Sequence, residues 1–121
     1  MTIEEAVSIA DKLKPNQYDF ETKVDWLSEL DGMIFHEVML THENPPLRDF
    51  HGYEHAEPCT ALLVPFPYEE VYVAYIHSQI DRENGEAAKY NQSATTFNEA
   101  YSRYANWYSR THRTLPNQFR I

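Results

Sequence analysis

The chain has 121 residues, 42% of them hydrophobic and 14% aromatic, with a formal net charge of −9 and one cysteine, Cys59. That length suits a single domain over residues 1–121, the aromatics supply buried area that a small domain needs, and a lone cysteine excludes an internal disulfide. The acidic balance excludes general affinity for nucleic acid or an anionic membrane.

The charge is unevenly placed. Residues 1–58 hold 13 acids and 4 bases, whereas residues 59–121 hold 6 of each. After Glu99 there is no acid, and Arg103, Arg110, Arg113 and Arg120 follow. Taken singly, each charge reads as solvated surface or as a base suited to a helix end. Taken together, the polarity suits head-to-tail association, which makes those four arginines the candidate subunit interface. The first residues carry Glu4, Glu5 and Asp11 and no long apolar run. They predict neither a secretory signal nor a membrane span, and so a product of a reducing, cytoplasmic compartment.

In chain order, Thr2 with Glu5 forms a capping box, and Ile3, Ala6, Val7, Ala10 and Leu13 make an apolar stripe. This predicts a helix over 3–13, stopped by Pro15. Asp19 caps a second predicted helix from Phe20 to His42. Its buried face is traced by Phe20, Val24, Leu27, Ile34 and Val38, with Asp31 interrupting the seam. Gly32 in mid-helix costs roughly 1 kcal/mol against alanine, which a close helix crossing or a local kink would explain.

Residues 43–66 contain Pro45, Pro46, Gly52, Pro58 and Pro65 and predict a long loop. A loop of this length is functional or partly disordered. Its apolar run Thr60–Val64 reads as a short strand or an extended piece pressed onto the helices. Pro67 fits the first turn of a third helix with Tyr72, Val73, Ile76 and Ile80 inward. Asn84-Gly85 ends it. A fourth helix runs to Arg110, with apolar or aromatic residues at 87, 90, 94, 97, 101, 104 and 108. These steps of three and four form one seam, so 67–110 is predicted to be an antiparallel hairpin packed on the second helix. Tyr90, Phe97 and Tyr101 are expected in the core. Residues 111–121 read as a C-terminal arm. The fold class is all-α, a small helical bundle with a long C-terminal hairpin and a Pro/His-rich loop.

Three places offer chemistry. His51 and His55, with Asp49 and Glu54, have metal-ligand residue types. The glycine and proline around them make a helix doubtful, and the glutamate is not where the zinc-protease helix places it. The loop is therefore read as polar surface, with no metal assigned. Cys59 lies beside Glu54 and Glu57, whose charge opposes a thiolate, so it is read as a half-buried structural thiol. The tyrosines of the last two helices have seam spacing and read as core, with those just off the seam as interface candidates. No catalytic residue and no cofactor follows from the sequence, and an enzyme is not expected.

Several ordered strings resemble a family of tailed-phage and prophage proteins of the head-tail connector. They are Lys14-Pro15-Asn16-Gln17-Tyr18, Trp26 to Gly32, Leu62 to Glu70 with Tyr72 and Tyr75, Gln79-Ile80-Asp81, Asn84-Gly85-Glu86, Lys89-Tyr90-Asn91 and Phe97 to Tyr101. The resemblance implies a small helical adaptor or head-completion protein that forms a ring at the portal vertex and is monomeric in isolation. It implies portal and tail-completion proteins as partners, without sequence-specific nucleic acid or membrane. It also implies assembly in the bacterial cytoplasm and a final place at the virion head-tail junction. The alternatives are a small acidic regulatory or inhibitory protein that binds a basic partner and, more distantly, a metal enzyme using the His51/His55 loop.

Overall fold

A computed structural model describes residues 1–116 as an all-α bundle. Its elements are α1 (Ile3–Leu13), α2 (Phe20–Ile34), a π-helical turn (Phe35–Met39), α3 (Glu70–Glu83) and α4 (Ala87–Thr111). The capping box at Thr2 is formed in both directions, and the Asp19 side chain accepts from the Thr22 N–H at 2.8 Å. Each cap satisfies a donor that the helix itself leaves open.

The second helix is shorter than its periodicity suggests. The α-geometry stops at Ile34, and the Leu40 N–H donates to the Phe35 carbonyl at 2.9 Å, five residues back. This wider turn brings Phe35, Val38 and Met39 into the core together. A side chain at Gly32 would meet nothing within 4 Å, so no close helix crossing explains that glycine. Phe20 is 41% exposed and Val24 only half-buried, so the buried face comprises Lys23, Trp26, Leu27, Leu30, Asp31 and Ile34.

The third helix starts at Glu70 rather than Pro67. Pro67 lies in a turn closed by the Tyr68 N–H on the Pro65 carbonyl at 2.9 Å. Helix α3 is the centre of the bundle and touches α1, α2 and α4. The α3–α4 hairpin is formed as expected, but it meets α2 through α3. Of the α4 seam, only Tyr104 and Tyr108 are buried, with Ala100 beside them. Ala87 is exposed, and Tyr90, Ala94, Phe97 and Tyr101 are half-buried. The expectation of a fully buried seam is therefore corrected: α4 has only α3 to lie against at its N-terminal half.

Residues 43–66 are not a free loop. Ile3 and Glu4 N–H groups donate to the Thr60 and Pro58 carbonyls at 3.0 Å each, and Thr2 bridges to Ala61. Tyr53, Leu62 and Val64 are buried. The start of the C-terminal arm is also tied down, since Glu43 N–H donates to Arg113 at 2.8 Å and Leu115 N–H to Thr41 at 3.1 Å. The rest of the arm lies outside the described residues.

Polar groups bind α1 to the others. Lys23 is 3% exposed and pairs with Asp11 at 2.8 Å, and Lys14 pairs with buried Asp81 at 2.7 Å. Tyr104 and Tyr108 carry buried hydroxyls without a hydrogen-bond partner among the described residues. A buried unsatisfied hydroxyl costs on the order of 1–3 kcal/mol. Tyr104→Phe is therefore expected to leave stability unchanged or raise it by up to about 1 kcal/mol, read as the urea midpoint. A loss above that size would mean that the hydroxyl has a partner.

Candidate functional site

Asp31 is the polar centre of the molecule. Its backbone belongs to α2, and its side chain is 0% exposed. Oδ1 accepts from the Tyr72 hydroxyl at 2.7 Å, and Oδ2 accepts from the Leu63 N–H at 3.1 Å and from the Tyr53 hydroxyl. The Tyr72 hydroxyl in turn accepts from the Val64 N–H at 2.7 Å. One carboxyl thus joins α2, α3 and both ends of the loop's buried part. Burial pushes its pKa up to about 6, with the three donors pulling the other way. Tyr53 and Tyr72 are held well above the ordinary phenol range, by burial first and by Asp31 second.

The loop approaches α2 closely at one more point. Gly52 has φ +96°, and a Cβ there would stand 3.3 Å from Ser28 Cβ. The Tyr53 N–H then donates to Ser28 Oγ at 2.8 Å. Glycine alone combines that backbone angle with that approach. Asp31 is sealed from solvent and its acceptors are occupied by the chain's own donors, so this is a structural node and not a reaction centre.

The sequence-predicted residues fall elsewhere. Arg103, Arg110 and Arg113 are exposed. Arg103 is held within the chain, with Nε and Nη2 donating to Glu70 Oε1 at 3.1 and 2.6 Å. Arg120 lies outside the described residues. The tie between residues 41–43 and 113–115 brings Arg113 beside the acidic front half of the same chain, at Glu43.

His51 and His55 are 85% and 89% exposed at their side chains, and each lies near one acid, Asp49 at 3.3 Å and Glu54 at 3.4 Å. Among the described residues no group of three His, Cys, Asp or Glu side chains converges to hold a metal. Cys59 is exposed, which corrects the half-buried thiol expected for it.

An aromatic cluster gathers where α4 ends. Tyr68 packs on Trp107 at 5.2 Å between centroids, and Tyr108 stacks on His112 at 3.8 Å, nearly parallel. His42 meets Tyr108 edge-on at 5.0 Å. Its Nδ1 lies 2.6 Å from the Val38 carbonyl and so donates to it, which leaves Nε2 to accept from Ser109 Oγ at 3.2 Å. The tyrosine row is therefore mostly packing, as its spacing indicates.

No protein-family model, curated protein or solved structure matches this chain. No helix among the described residues is long and apolar enough to cross a membrane.

Two features matter that periodicity alone does not reveal. Asp31 reads as an interruption of an apolar seam, and an acid at a seam position is the signal of its partners. Phe66 is 83% exposed between two prolines. In sequence it passes for one more apolar residue of the Leu62–Phe66 run.

Proposed function

We propose that this chain is a structural adaptor or head-completion protein of a tailed phage or prophage, acting as a ring at the portal vertex. The observation that supports this reading is where the resembling strings lie. Leu63 and Val64, in the string that leads into α3, hold the Asp31–Tyr72 node. Asn84-Gly85 makes the hairpin turn, with Gly85 at φ +72°. Trp26, Leu30 and Asp31 are buried on α2. The strings thus coincide with the residues that set the architecture, so a chain sharing them would share the body. A ring subunit needs such a body, with its long connection fastened down and side chains left on the surface for its neighbours. Acidic surface turned to a channel would repel passing DNA. On this reading the partners are the portal and tail-completion proteins, and no catalytic, cofactor or metal residue is assigned.

The test is co-expression with the portal protein encoded in the same gene cluster, followed by gradient sedimentation and negative-stain imaging. Co-sedimentation with added ring density is expected, as is loss of infectious particles when the gene is deleted. Independent sedimentation together with normal particle yield would overturn the proposal. The second reading, an acidic protein that binds a basic partner, is favoured by the 13 acids against 4 bases of residues 1–58. A stable salt-sensitive complex with a basic protein, formed without the portal, would decide for it.

A further inference from the structure

Among the described residues Phe66 is the most exposed of the large apolar side chains at 83%, yet its backbone is held on both sides. Val64 is 1% exposed with its N–H on Tyr72, and Tyr68 is fixed by its turn to Pro65 and by its ring on Trp107. A partner that covers Phe66 therefore has little backbone left to order. Trp107 lies on α4 four residues after Arg103 and three before Arg110, so all three share a face. Arg103 is engaged by Glu70, whereas Arg110, exposed on the same face, makes no ion pair among the described residues.

A groove of about 610 Å³ elsewhere has the complementary character. Phe20 and Val24 give it apolar lining, and Glu21, Asp25 and Glu54 line it as acids alongside His51 and His55. Tip and groove lie toward opposite ends of α3. Phe66 precedes the first residue of α3 by four, whereas Tyr18, two residues before Phe20, donates to the Asn84 side chain at the other end at 2.7 Å. At about 1.5 Å per residue, the 14 residues of α3 separate those ends by roughly 21 Å.

We propose that Phe66 of one copy seats in the Phe20–Val24 groove of the next, with Arg110 against the acids that line it. The contact is heterologous, joining two different patches, and repeats into a ring when its rotation closes. It has the apolar centre and charged margin of a protein interface. It rests on the ring reading above and names the contact that reading needs.

The test uses two full-length proteins in a Cys59→Ser background, one with Phe66→Cys and one with Phe20→Cys. They are isotopically distinguished, mixed at millimolar concentration and mildly oxidised, alone and with the portal protein. Mass spectrometry then counts mixed and like-with-like disulfides, after circular dichroism has shown both variants helical. A several-fold excess of the mixed disulfide over statistical proportions is expected, and Arg110→Glu should lower it at low salt. Statistical proportions, or Phe66→Cys joining only to the portal, would overturn the contact. Statistical proportions for a protein that still sediments with the portal would remove the contact and leave the adaptor reading. Selective joining without any portal association would keep the contact and remove that reading.

Discussion

Replacing Asp31 by alanine orphans three buried neutral donors and is expected to cost roughly 3–5 kcal/mol, a large share of the ~5–15 kcal/mol that holds a domain of this kind together. The change leaves the Tyr53 and Tyr72 hydroxyls and the Leu63 N–H without their acceptor in a dry interior. Each such orphan costs about 1–3 kcal/mol, reduced where the loop can relax outward to water. Urea unfolding followed by circular dichroism measures the loss, and a drop under about 1 kcal/mol would show that the node holds nothing.

The same residue predicts a pH dependence of definite sign. The folded-state pKa of Asp31 is raised to about 6, above its ordinary value of 3.8. Well below pH 3.8 the carboxyl is protonated in both states, and its contribution is fully present. Between pH 4 and 6 the unfolded chain gives up the proton while the folded one keeps it, so stability falls as pH rises. Above pH 6 the difference is constant. A shift of about two pH units corresponds to about 3 kcal/mol. Asp19 and Glu5 have lowered values and act in the opposite direction, Asp19 through its bonds with Thr22 and Glu5 through its bonds with Thr2. The measurement is therefore the wild-type curve minus that of Asp31→Asn, which retains the shape. That difference should decline by about 2 kcal/mol from pH 4 to pH 6.5. A flat or rising difference would refute the assignment.

Ala94→Pro is expected to cost about 3 kcal/mol or more, because proline removes a helical hydrogen bond and clashes with the preceding turn. Its structural effect should be graded along α4. The buried residues of that helix are Ala100, Tyr104 and Tyr108, all beyond the break. The half before it is at best half-buried, against α3 alone. Hydrogen exchange should therefore show the hairpin tip from Glu86 to Phe97 opened while amides around Tyr104 stay protected. A tip as protected as in the parent would overturn the placement of Ala94 inside a regular helical turn of α4.

How much of this was legible in the sequence depended on the range of the interactions. Helix starts are local: Thr2 with Glu5, and Asp19 with Thr22, act within one turn. The hairpin was legible from a three-four repeat and a glycine. What was not legible depends on residues far apart. Asp31 becomes a core residue only because Tyr53, Leu63 and Tyr72 come to it. Pro67 looks like a helix start, but it sits in the turn before the helix, which begins at Glu70. The extra residue that widens the turn after Ile34 leaves no compositional mark, since Phe35, Val38 and Met39 suit an α-helix equally well. Of the candidate interface, the arginines were legible as a charge run, whereas the pairing of Arg103 with Glu70 needed the α3–α4 contact.

The fastening of the long connection has a kinetic consequence. Helices α3 and α4 meet through near neighbours in sequence, and their hairpin can form on the microsecond-to-millisecond scale of local structure. The remaining ties join Ile3 to Thr60, Glu43 to Arg113 and Lys14 to Asp81, all distant along the chain. Each must close a large chain segment before it contributes anything. Docking of residues 43–66 is therefore expected to follow the hairpin, and pulse-labelled exchange during refolding should protect α3–α4 amides before those of Ile3 and Glu4. Until residues 43–66 dock, Tyr53, Leu62 and Val64, buried in the finished fold, stand in water.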